Sequence, residues 1–194
     1  GYVVQAIVNN FVPLLFLTFN KSYGIELSKI TALITVNFIL QLCIDFLSAF
    51  FIDKIGYRAA AIMAHVFAAA GLVSLTVLPG ILPSPFVGLL ISVVLYAVGG
   101  GLLEVIVSPI VEACPTDNKE KMMSLLHSFY CWGSVAVVGI STLYFSIFTT
   151  ANWKYLALIW AVVPIVNALN FIRVPIAPLI EEGDTGLSFK QLLG

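Results

Sequence analysis

Apolar residues gather along this chain into six long stretches, each separated from the next by a short cluster of turn formers and charges. A helix needs roughly 20 residues to cross the hydrocarbon core of a bilayer. Windows of that size lie at about 1–19, 27–51, 59–79, 86–112, 122–148 and 155–174. Between them come Asn20-Lys21-Ser22-Tyr23-Gly24, Asp53-Lys54-Ile55-Gly56-Tyr57-Arg58, the proline-rich stretch at 79–85, and Pro115-Thr116-Asp117-Asn118-Lys119-Glu120-Lys121, all compatible with tight helical hairpins. The pattern predicts an all-α membrane protein, a six-transmembrane-helix bundle over residues 1–174. Past Arg173 the composition changes to Pro175, Pro178 and the acidic Glu181, Glu182 and Asp184, so 175–194 is expected to be a cytoplasmic linker or the start of a central loop. Because Gly1 already lies in an apolar run, the chain is expected to open inside its first span.

Polar positions within these windows are few and regularly spaced. An ionisable group at the bilayer centre costs about 2.5 to 3.5 kcal/mol on insertion scales, so one that is kept needs a partner, water or a task. In the second span Asn37, Gln41, Asp45 and Ser48 stack on one helical face. Glu104, Ser108 and Glu112 do the same in the fourth, and Ser124, His127, Ser128, Cys131 and Ser134 in the fifth, beside Tyr130 and Trp132. The first span offers Gln5, Asn9 and Asn10. The third holds only His65 and Ser74 among small apolar residues, which places it at the periphery. Spans one, two, four and five would thus turn polar faces toward a shared wet cavity, the anatomy of a transporter. Glu104 and Asp45 each fall about 8 Å from the middle of their spans at 1.5 Å per residue, too deep for short carboxylates to reach bulk water.

Other polar residues have simpler explanations. Ser74, Asn167 and Asn170 suit interhelical hydrogen bonding, worth about 0.6 kcal/mol each. His65 is expected to be packed or interfacial, while Glu112 and Asp53 sit near the headgroups, where solvation is easy. For Gly99-Gly100-Gly101, close helix packing is the simpler reading, and local flexibility beside Glu104, aided by Pro109, is the other.

Composition agrees with the pattern. Hydrophobic side chains make up 60% and charged ones 10%, against about 45 to 50% and 25% in soluble domains. A net charge of -1 supplies no basic field for nucleic acid. Cys43, Cys114 and Cys131 have neither disulfide-framework nor metal spacing, and no cofactor is implied. Of the nine Lys and Arg, the connectors on one side carry Lys54, Arg58, Lys119, Lys121, Arg173 and Lys190, and those on the other Lys21, Lys29 and Lys154. The richer side is cytoplasmic by the positive-inside rule, which puts the N-terminus inside. An intramembrane enzyme would need a His-Glu-x-x-His pair, a Gly-x-Ser-x-Gly elbow or paired aspartates on adjoining helices, and the chain has none of these.

The connector Ala49-Phe50-Phe51-Ile52-Asp53-Lys54-Ile55-Gly56-Tyr57-Arg58 resembles the major facilitator superfamily signature G-x-x-x-D-[RK]-x-G-x-[RK], with Ala49 in place of the first Gly. The resemblance implies the N-terminal six-helix half of that fold, with Asp53, Lys54, Gly56 and Arg58 as its gating-loop motif and Asp53 able to pair with Arg58. Within the superfamily, the stretch from Gly99-Gly100-Gly101 through Glu104 to Ser108-Pro109 is similar to the fourth helix of the fucose:proton symporter and related sugar permeases, with Ser108 where they have Asn. Leu126-His127-Ser128-Phe129-Tyr130-Cys131-Trp132-Gly133 is similar to their fifth helix, and Asn9-Asn10 followed by Pro13 to their first.

What these resemblances imply is secondary active transport of a small polar solute, with a sugar the leading class, by alternating access in a bacterial plasma membrane. Glu104 and Asp45 are the candidate proton-coupling groups. Asn9, Asn10, Asn37, Gln41 and His127 would bind sugar hydroxyls, with Tyr130 or Trp132 as an apolar wall. The expected partners are the solute, the lipid bilayer and a second six-helix half, either the C-terminal half of the same chain or a homodimer partner. The competing readings are export of a non-sugar solute and a non-transporting receptor or scaffold.

Overall fold

The computed structural model describes residues 1–176, and the expected linker therefore falls almost wholly outside the described residues. All regular structure within them is helical. The first span is built from α1 (Tyr2–Asn10), a 3-10 turn (Val12–Leu15) and α2 (Phe16–Tyr23). Pro13 has no N–H to return to the carbonyl of Asn9, so the helix breaks directly after Asn9 and Asn10. The remaining spans are α3 (Leu27–Ile55), α4 (Tyr57–Ile81), α5 (Pro85–Glu112), α6 (Lys119–Phe148) and α7 (Trp153–Arg173). Six helical segments are long and apolar enough to cross a membrane, one for each apolar window.

The connectors are shorter than the turn formers suggest. Asp53, Lys54 and Ile55 finish α3, Tyr57 and Arg58 begin α4, and the turn between them is Gly56 alone, at φ 82°. That backbone conformation strains any residue with a Cβ. Gly24 closes α2 in the left-handed helical conformation, at φ 64°. At the other hairpins, Pro85 enters α5 in its first turn, and the side-chain oxygen of Asn118 caps α6 by accepting from the Lys121 N–H at 2.9 Å. Helices run past their apolar windows because polar side chains at the headgroup level solvate without leaving the helix.

Bundle packing centres on α5, which lies against α4, α3 and α1. Small residues allow this. A Cβ on Gly99 would stand 2.6 Å from the Ala64 carbonyl of α4, and one on Gly101 would stand 2.9 Å from Ile44 Cβ and 3.1 Å from the Gln41 backbone of α3. Gly100 faces the Gln41 side chain and Val8. The triple glycine is therefore a packing device, as the simpler reading expects, with Gly99 admitting α4 and Gly100 and Gly101 admitting α3.

The third span, α4, contributes no residue to the main cavity. It is not loosely attached, however: Ala60, Ala61, Ala64 and Ala68 are fully buried, and the helix packs between α5 and α7. His65 is buried there, its Nδ1 at 2.7 Å from the Ala61 carbonyl and its ring 5.2 Å from Phe171. Ser74 donates to Ser92 of α5 at 3.1 Å, the interhelical role expected of it.

Coverage is uneven. In the fourth span 61% of the apolar window is buried inside the molecule, against 22% in the second and 17% in the fifth. The outer faces of α3 and α6 are consequently the least covered.

Candidate functional site

Four helices converge on a cavity of about 490 Å³. On α3, Phe38, Gln41, Leu42 and Asp45 reach it at the three- and four-residue spacing of one helical face. Tyr2, Gln5 and Asn9 come from α1, Glu104 from α5, and His127, Tyr130 and Cys131 from α6. The spans that supply these residues are the four whose sequences carry polar stripes.

An amide relay holds one wall. Asn9 Oδ1 accepts from Gln41 Nε2 at 2.8 Å and from Asn37 Nδ2 at 3.2 Å, while Gln41 Nε2 also donates to Asn37 Oδ1 at 3.0 Å. Asn9 Nδ2 reaches toward the Tyr130 hydroxyl at 3.5 Å. Gly100 leaves room for this, since an added Cβ would press on Gln41 Nε2 at 3.2 Å. On the other wall Gln5 Nε2 donates to Glu104 Oε2 at 2.8 Å, and the Tyr2 hydroxyl bonds Ser108 Oγ at 2.9 Å. Tyr2 also packs near His127, with ring centroids 5.6 Å apart, and edge-on to Tyr130 at 6.2 Å.

The two carboxylates line the same cavity. Glu104 is exposed to the cavity. Asp45 is half-buried, and its Oδ1 is shielded from solvent with no hydrogen-bond partner among the described residues. One acid is thus held by an amide donor while the other has an oxygen unengaged.

Several expected site residues lie elsewhere. Asn10 turns away from the cavity, donating to the Ala6 carbonyl at 2.8 Å and to Ser134 Oγ at 3.2 Å, so it ties α1 to α6. Asn37 is buried behind Asn9 and Gln41 and supports them from a small separate hollow beside Pro13 and Tyr96. Trp132 is 72% exposed on the outside of α6. Residues two apart on a helix do not face the same way, so Tyr130 and Trp132 cannot both line one wall. The apolar surface is formed by Tyr130 with Tyr2, Phe38 and Leu42.

At the α3–α4 turn the expected pairing of Asp53 with Arg58 is absent. Arg58 instead donates to the Ile172 carbonyl at 3.1 Å, at the C-terminal end of α7, where a cation meets unsatisfied carbonyls and the negative end of the helix dipole. Asp53 Oδ1 accepts from the Tyr57 hydroxyl at 3.5 Å. Lys54 sits in the last turn of α3.

Gln5, Phe38, Leu42 and Tyr2 also line the cavity, without an assigned role in the sequence pattern. Gln5 was visible, one helical turn before Asn9 on the same polar row. Phe38 and Leu42 flank Gln41 at helical spacing. Tyr2, as an aromatic at the start of an apolar run, carried no signal.

A six-helix unit whose second and third spans meet at a Gly-centred basic turn has a counterpart among known families. The family model described as Major Facilitator Superfamily matches residues 1–191, nearly the whole chain. The chain belongs to the Major Facilitator Superfamily. No curated protein and no solved structure matches it. Membership of the superfamily and six candidate membrane helices make it an integral membrane protein of the secondary-transporter type, acting on a solute within a lipid bilayer.

Proposed function

We propose that this chain is the N-terminal half of a superfamily transporter that moves a small polar solute, with sugars the leading class, by alternating access. The reading rests on one observation: four helices place amide, hydroxyl, imidazole and carboxylate groups around a single cavity inside an otherwise apolar bundle. Asn9, Gln41 and His127 contact the solute directly, with Tyr130 as an aromatic wall, while Asn37 orients the two amides. Glu104 carries a coupling proton in symport with the solute, and Asp45 is the second carboxylate of the pair. Residues 1–174 form the bundle and 175–194 the linker, with the N-terminus on the cytoplasmic side of a bacterial plasma membrane. The sparsely covered helices α3 and α6 favour completion by a second six-helix half, in the same chain or from a second copy.

The test is uptake by the complete transporter in liposomes, screened over sugars with and without an imposed pH gradient. Accumulation of a sugar that depends on the gradient supports the reading. Gradient-independent equilibration would remove the proton from it, and no uptake of any sugar would remove the substrate class.

A further inference from the structure

The hydrogen bonds around the cavity have a direction, and that direction bears on what can occupy it. Gln5 and Gln41 both line the cavity and are only 4% and 3% exposed. Gln5 donates one of its two amide N–H groups to Glu104, and Gln41 donates to Asn9 and Asn37. An ionised Glu104 can only accept, so Gln5 must turn its NH₂ toward it. Asn9 Oδ1 receives two N–H groups, so turning over either Asn37 or Gln41 would set oxygen against oxygen. In this arrangement Oε1 of each glutamine takes no hydrogen bond from a described residue, and Gln5 keeps a second free N–H beside it.

Asp45 adds a charge to these acceptors, with its Oδ1 unpartnered. The donors the cavity retains are the second Gln5 N–H, the Asn9 amide, the His127 ring, the Tyr130 hydroxyl and the Tyr2 hydroxyl, whose bond to Ser108 can run either way. Among the described residues, neither Lys nor Arg lines the cavity. A neutral polyol placed here would leave the Asp45 charge desolvated and unpaired, an expensive state. A protonated amine brings three donors and a positive charge to the side of the cavity that holds Asp45, and the rings of Tyr2 and Tyr130 offer it π faces as well.

We infer that the solute carries a protonated amine on a hydroxylated body, the chemistry of an amino sugar, and that Asp45 is its counter-ion. This rests on the transport reading above and divides the labour of the two carboxylates: Asp45 engages the amine and Glu104, already tied to Gln5, carries the proton.

The experiment compares uptake of D-glucosamine, D-glucose and N-acetyl-D-glucosamine by the complete transporter in liposomes, at a pH where the free amine is protonated. The expected result is a half-saturation concentration for glucosamine at least about tenfold below that of either neutral sugar, the discrimination of roughly one charge-assisted contact. In Asp45→Asn the preference collapses toward unity, whereas Asp45→Glu retains a preference for the amine. Equal or better transport of the neutral sugars by the wild-type protein overturns the inference and leaves sugar transport standing, and so does an unchanged preference in Asp45→Asn. Uptake of none of the three overturns both. The wild-type comparison decides the matter even where a variant fails to insert.

Discussion

Trp132 and Tyr130 show how much a single helical step decides. Both are aromatic and both adjoin the polar seam of α6, yet Tyr130 lines the cavity while Trp132 is largely exposed on the outside. Tyr130→Ala should therefore raise the half-saturation concentration for the transported solute several-fold, on the order of the 1 kcal/mol of a lost aromatic contact. Trp132→Ala should leave it unchanged, and uptake kinetics on the two variants check this directly. Asn9 and Asn10 differ in the same way. Asn9 organises Gln41 and Asn37 inside the site, whereas Asn10 joins α1 to α6. Asn10→Ala is expected to lower thermal stability in detergent by about 0.6 kcal/mol without changing solute affinity. The polar rows of α3 and α5 were legible because a 3.6-residue period shows which residues share a face. It does not show which end of an amide points into the cavity, and it could not reveal that Arg58 would find the end of α7 rather than Asp53.

Helices in this bundle approach one another through positions without side chains. At Gly101 a Cβ would meet Ile44 Cβ at 2.9 Å, so Gly101→Val should force α3 from α5 and disturb the wall that Gln41 and Asp45 share. At Gly139, in α6, an added Cβ would have no atom within 4 Å. Gly139→Ala should be neutral or stabilising by up to about 1 kcal/mol through helix propensity. Thermal unfolding of the purified variants distinguishes the two, and equal effects would contradict the packing account. Helix number and approximate limits followed from hydropathy alone, since bilayer thickness sets the length. The break after Asn10 follows from Pro13, which hydropathy does not register. Hydropathy is blind to how firmly α4 packs, because alanine and glycine look alike to it whether they face lipid or a neighbouring helix.

Across the whole molecule, polarity is collected in one place. Four helices contribute hydrophilic residues to a common cavity, whereas α4 and α7 contribute none. Cys131 lines that cavity, which gives a direct probe of access. In a Cys43→Ser, Cys114→Ser background, modification of Cys131 by a water-soluble maleimide should be slowed by the transported solute, and indifference to solute would separate the cavity from the binding site. The central claim is that Glu104 in this cavity links proton movement to solute movement. Its most direct test is the Glu104→Gln transporter in liposomes, measured both for accumulation driven by a pH gradient and for solute exchange at equal pH. We predict that accumulation is abolished while exchange persists, and accumulation equal to that of the wild-type protein would contradict the account.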